Sequence, residues 1–181
     1  MGLHRAQIVT LAESRLREHG LAGMSMRAVA QDLGVQPGAL YHHVASKQEL
    51  LVAVGEKILS DGAAAISRTD AAQAAADIRA VLLPIRDGAE VISFVHAYRP
   101  DALGPFKDLQ RALARAFPEV DPQLASEALI RYVLGAVAVE QNHAELVRAR
   151  ILASETAASG NQHTGAFTFG VSALLAGFTA C

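Results

Sequence analysis

Apolar positions along this chain recur mostly at helical spacing. Between Ala6 and His19, Ile8, Leu11, Ala12 and Leu16 form one stripe, and Gly20 stands where a left-handed C-terminal cap is expected. Ser25 caps a second, short helix whose inner positions are Ala28, Val29 and Leu33, and Gly34 ends it. Pro37 suits the first turn of a third helix, where its missing N–H costs nothing, and Leu40 and Val44 then point inward. Ser46 and Glu49 form an S-x-x-E capping box that opens a fourth helix through Leu51, Val54 and Ile58 to about Ala65.

Beyond residue 65 the pattern is softer. Thr69 or Asp70 starts a helix that Pro84 and the following Arg-Asp-Gly end, and another helix spans Phe106 to Phe117 with Leu109 and Leu113 inside. Asp121 and Pro122 begin the longest predicted helix, which runs to about Ser154. Its stretch from Ala128 to Val139 is apolar on nearly every side, so it must be covered all round. The segment SETAASGNQHTG has loop composition. From Ala166 an apolar helix returns with Phe167, Val171, Leu174, Leu175 and Phe178.

Composition agrees with an all-α fold. Of 181 residues, 51% are hydrophobic and none is Trp, and Ala and Leu are abundant while β-branched residues are scattered. No apolar run reaches the roughly 18 residues of a membrane span, and no signal-peptide core opens the chain, so no membrane partner and a cytoplasmic location are expected. A single cysteine, Cys181, excludes an internal disulfide framework and a cysteine-based zinc site. The net charge is −2, but residues 1–60 carry one net positive charge and four of the seven histidines. That asymmetry is only a weak pointer to nucleic acid.

The residues at 25–51, SMRAVAQDLGVQPGALYHHVASKQELL, sharpen the picture. Two short helices joined by a few residues containing Gly outline a helix-turn-helix. In detail the segment resembles the DNA-binding head of the tetracycline-repressor (TetR) family, whose pattern runs from a cap through Ala, Gly-Val, Leu-Tyr and an aromatic or His to Lys and Leu-Leu. The resemblance implies that the third helix enters the major groove while the second braces it across the backbone. Gln36, Pro37 and Ala39 then form the base-facing front, and Arg27, Tyr41, His42, His43 and Lys47 contact the DNA backbone. On the residues alone, Tyr41 could equally pack on the core of the head and the histidines could be merely solvated.

Three later patches, LLPIRDGAEV with a following Arg-Pro, YVLGAVAVEQ and AFTFGVSALLAGF, resemble the C-terminal part of the tetracycline repressors themselves. That likeness implies a homodimer built from the helices near 122–154 and 166–181, with Gly135, Ala136, Ala138, Ala173 and Gly177 permitting close approach. A monomer with a fully buried central helix is the competing reading. The likeness stops at the drug–magnesium site: the positions of its histidine and glutamate hold Val95 and Val139, with His96 and Glu140 each one residue away, and two of its polar positions hold Ala74 and Ile78. No metal and no cofactor are expected. An apolar pocket with a few polar groups remains, for which Phe94, His96, Tyr98, Arg99, Phe106 and Gln141 are candidates.

The expectation is therefore an N-terminal helix-turn-helix DNA-binding domain at 1–46, a linking helix at 47–65 and a helical ligand-binding and dimerisation domain at 66–181. Its function would be that of a repressor that holds a palindromic operator as a homodimer and is released by a small-molecule effector. The alternative is a helical small-molecule-binding or interaction module that has lost operator binding. An enzyme is not expected, since the chain has no recognisable Ser–His–Asp frame, no H-E-x-x-H and no phosphate-cradling glycine loop.

Overall fold

The computed structural model describes residues 3–153 and 157–179, all helix, turn and loop. Cys181 and the predicted end of the long helix at Ser154 lie outside the described residues.

Helix α1 (Arg5–His19) buries Ile8, Val9, Ala12 and Leu16 and stops at Gly20, whose φ of 66° is easy only for glycine and whose N–H donates to the Leu16 carbonyl at 2.8 Å. Helix α2 (Met26–Asp32) is capped by the Ser25 hydroxyl, which accepts from the Ala28 N–H at 3.1 Å. Helix α3 (Pro37–Tyr41) starts on Pro37 and buries Leu40. It is shorter than the expected reach to Val44, because the His43 and Val44 N–H groups both turn back to the Leu40 carbonyl. His42 and His43 thus stand in a turn, not on a helical face. Helix α4 (Lys47–Gly62) has Ser46 as its cap, accepting from the Glu49 N–H at 3.1 Å, and ends three residues before Ala65.

Helix α5 (Ala71–Leu82) is capped by Asp70. Helix α6 (Gly88–Tyr98) is not among the expected elements: Arg86-Asp87-Gly88 reads as a breaker, but α5 has already ended at Leu82 and this tripeptide starts the next helix, with Asp87 left-handed at φ 53°. Helix α7 (Gly104–Ala116) follows a single helical turn at Pro100–Ala102. Helix α8 (Pro122–Arg148) is capped by the Asp121 carboxylate, which accepts from the Gln123 and Leu124 N–H groups. It stops short of the expected end because Arg150 turns left-handed at φ 58° and the Ile151 and Leu152 N–H groups fold back onto the Leu146 carbonyl. Helix α9 (Ala157–Phe178) begins nine residues before the expected Ala166. Its glycines and polar residues have loop composition, but the helix is seated on α5 and α8 by Phe167 and Val171, which are buried. Tertiary packing overrides weak local propensity there.

One continuous core joins the elements. In α1–α3 and the start of α4 it comprises Ile8, Leu16, Leu40 and Leu50; further on it comprises Ile78, Leu82, Ile92, Leu103, Leu109 and Leu129. Helix α4 belongs to both parts, packing on α1 with one side and on α5, α6 and α7 with others. At Gly55 the α4 and α6 backbones come so close that a Cβ would lie 2.9 Å from Val95 Cγ2. Among the described residues no helix is long and apolar enough to cross a membrane.

Candidate functional site

The head presents one polar surface. Leu40 and Val44 turn inward and leave Arg27, Gln36, Tyr41, His42, His43 and Lys47 exposed, with Pro37 and Ala39 half-buried beside them. Tyr41 is 53% exposed, so its ring does not serve as core. The turn between α2 and α3 rests on Gly34 at φ 67° and on the Val35 N–H, which donates to the Ala30 carbonyl at 3.0 Å. All eight residues expected to touch DNA are therefore at or near the surface of α2, α3, the following turn and the first turn of α4.

Three polar devices hold the head to the rest. Glu13, 7% exposed, accepts two hydrogen bonds from Arg17 at 2.9 and 2.7 Å and lies 3.4 Å from Lys57 of α4, fixing α1 to α4. At the other end of α1, the Asp87 carboxylate accepts from the Leu21 N–H at 2.6 Å and Arg86 donates to the Glu18 carbonyl at 3.0 Å. Third, Arg99 at the end of α6 pairs with Glu49 in the first turn of α4 at 2.6 Å. The start of α6 thus grips the head and its end grips the first turn of α4. Sequence reasoning missed Glu13, Arg86 and Asp87; the Glu13–Arg17 spacing of four on a helix was the one readable signal.

The six ligand candidates do not line one pocket, which corrects the expectation of a single site. Phe94 and Tyr98 stack on each other with ring centroids 5.4 Å apart, and the Arg99 guanidinium that pairs with Glu49 also lies over the Tyr98 ring. Helix α6 turns about 200° between positions 94 and 96, so His96 faces elsewhere. Its Nε2 lies 2.9 Å from Glu127 Oε1 and its ring meets Phe106 edge-on, while its Nδ1 is buried with no hydrogen-bond partner. His96 and Phe106 line a cavity of about 370 Å³ with Ser126, Glu127 and Gln110.

Gln141 is buried and fully used by the fold. Its amide nitrogen donates to the carbonyls of Leu82 at 2.8 Å and Ile85 at 2.6 Å, and its oxygen accepts from the Ala89 N–H at 3.1 Å. It ties α8 to the turn between α5 and α6. Ala74, Ile78 and Val95 are core residues, at most 1% exposed, whereas Val139 is 64% exposed. Among the described residues no group of three or more His, Cys, Asp or Glu is arranged to hold a metal.

Helices α8 and α9 carry an uncovered apolar face. Leu129, Val133 and Val137 point into the core, but Val139 and Phe169, the latter 77% exposed, face outward. Between the two helices runs a groove of about 530 Å³ lined by Tyr132, Gly135, Ala136, Ala166 and Phe167. Tyr132 lies flat against Gly170, where any Cβ would collide with its hydroxyl, and donates to the Ala166 carbonyl at 3.0 Å.

Comparison with known proteins decides the family. A family profile described as bacterial regulatory proteins, tetR family, matches residues 8–54. The solved structure of BioQ from Mycobacterium smegmatis superposes with a TM-score of 0.84 at 33% identity, covering 99% of each chain. The chain belongs to the tetR family. It is thus a transcription regulator and not an enzyme. BioQ has also been solved with its double-stranded DNA operator, and that structure superposes with a TM-score of 0.79 at 32% identity over 99% of this chain. Tetracycline repressor protein class D of Escherichia coli is 29% identical over 148 residues, 78% of this chain and 68% of the repressor. An HTH-type transcriptional regulator of Mycobacterium tuberculosis is 41% identical over 63 residues, which span only 27% of that regulator's length.

Proposed function

We propose that this tetR-family chain is a repressor that binds a palindromic operator as a homodimer and lets go when a small molecule binds. The observation that carries the reading is the uncovered polar surface of the head, with Gln36, Pro37 and Ala39 at its front and Arg27, Tyr41, His42, His43 and Lys47 around it, in a chain that superposes end to end with an operator-bound relative. In this reading the front residues meet base edges, Gln36 reading adenine and the apolar pair meeting a thymine methyl, and the surrounding residues hold phosphates.

Three parts share the work: the head at 1–46, the linking helix at 47–65 and the ligand-binding and dimerisation part at 66–181. The uncovered α8–α9 face accommodates a second copy, and its groove and outward Phe169 are the features that ask for one. Operator binding then requires two heads about 34–36 Å apart, or a multiple of that. Because α6 holds the head at its start and the first turn of α4 at its end, a ligand that favours another position of α6 re-aims the head. Such a ligand must bind one arrangement more tightly than the other.

The test is fluorescence anisotropy with duplex DNA from upstream of the chain's own gene, against random-sequence duplex, at two salt concentrations. Tighter binding to a duplex carrying an inverted repeat is expected. Equal or absent binding to both duplexes would leave a helical interaction module in place of a regulator.

A further inference from the structure

A cavity of about 470 Å³ opens where the end of α1, the α5–α6 turn, α8 and α9 meet. It lies apart from the His96–Phe106 cavity, adjoins the α8–α9 groove through Glu140 and His163, and has a volume in the range of small-molecule sites. Four guanidinium groups face it: Arg17 from the head and Arg79, Arg86 and Arg148 from the rest of the chain.

Three carboxylates on the same wall, Asp87, Glu140 and Glu145, leave it one positive charge in excess. Arg79 is paired with Glu140 through two hydrogen bonds at 2.8 and 2.5 Å, and both side chains are largely buried. Arg86 and Arg148 share the single carboxylate of Glu145. Asp87 also accepts from the Leu21 N–H, and the partner of Arg17, Glu13, does not line the cavity. One wall is apolar, formed by Leu83, Pro84 and Ala144.

We propose that this cavity binds a small acidic molecule, a carboxylate or phosphate on a compact apolar body, with the acid group among the four arginines. The consequence rests on the regulator reading given above. Arg86 and Asp87 are also the residues that hold the end of α1, and Arg17 belongs to the head itself. A ligand here contacts both sides of the joint and so discriminates between positions of the head, which is the requirement for an effector.

Benzoate and phenyl phosphate are the probes, with benzyl alcohol as the uncharged control, titrated calorimetrically into the full chain at constant ionic strength. The wild type is expected to bind at least one acid and not the alcohol. Arg148→Gln, at the rim, weakens that binding about tenfold, the loss of one charge-assisted hydrogen bond. Ala144→Phe fills the space while leaving every pairing intact, and abolishes it. Binding of neither acid, or equal binding by wild type and both variants, overturns the site. Operator affinity is read separately by anisotropy: it changes with the acid for the wild type and not for Ala144→Phe. Acid binding with unmoved operator affinity overturns the coupling, while a wild type that ignores operator DNA even without acid sinks the regulator reading and leaves the calorimetry to decide the site.

Discussion

At the scale of single residues, two side chains of similar polarity have opposite work. Lys47 is exposed at the first turn of α4, and Gln141 is buried with all its visible bonding directed at backbone. Lys47→Ala is expected to weaken binding to every DNA sequence alike and to lower the slope of log affinity against log salt by about one, read from anisotropy titrations at several salt concentrations. Fold stability should be unchanged. Gln141→Leu has the reverse profile. It removes the partner of the Ala89 N–H and one of two bonds from each of the Leu82 and Ile85 carbonyls, which keep those from the Ile85 and Gly88 N–H groups, so urea unfolding should register a loss of about 1–3 kcal/mol. This structural role of Gln141 was hidden for a physical reason: from sequence, a glutamine in an apolar helix looks spare, and only the fold brings the ends of α5 and α6 to it.

At the scale of elements, the joint between α1 and the α5–α6 turn is the place to intervene. Gly20 has a left-handed φ, and a Cβ there would lie 2.5 Å from Asp87 Oδ2. Gly20→Ala therefore strains the cap of α1 and pushes away the carboxylate that holds the Leu21 N–H. Hydrogen exchange at residues 19–23 is expected to speed up while exchange in α8 stays unchanged, at a stability cost of about 1–3 kcal/mol. The seam between α1 and α4 behaves differently. The hydrogen bond from Lys57 to Asp61 raises the lysine pKa above its ordinary value, against a smaller opposing effect of burial and with Glu13 adding to the rise. A raised pKa stabilises below the unfolded value and is lost only as pH climbs through the folded one. The Lys57 contribution should thus be constant across neutral pH and vanish only in strong alkali, and a Lys57→Met variant should show a flatter alkaline limb in thermal melts. Much of this level was legible beforehand, because caps and stripes are local: Ser25, Ser46 and Asp121 each stand at a helix start where the sequence put one. Helix α6 was not, since Asp87-Gly88 has the composition of a breaker yet starts a helix, and α9 was only partly so, since its first turns have loop composition.

At the scale of the whole molecule, the question is what covers α8 and α9. A single chain leaves Val139, which lines the α8–α9 groove, 64% exposed and Phe169 of α9 77% exposed. Exposed apolar surface of that kind on adjoining helices marks an interface, and a two-fold pairing would bury the same patch on both copies. The outward Gly135, Ala173 and Gly177 set backbone close to the surface there, which suits helices packing against their own copies. Phe169→Glu places a charge at the centre of that face without touching the head or the joint. Sedimentation equilibrium is expected to show the wild type as a dimer and the variant as a monomer, with unchanged helical content by circular dichroism. The operator measurement then separates two roles of the face. If two heads on one duplex are what make binding tight, the monomeric variant loses about a hundredfold or more in affinity for an inverted repeat while its affinity for a single half-site stays at the wild-type level. Loss on the half-site as well would mean that the face supports the head's own geometry, and a wild type that sediments as a monomer would remove the dimer from the mechanism.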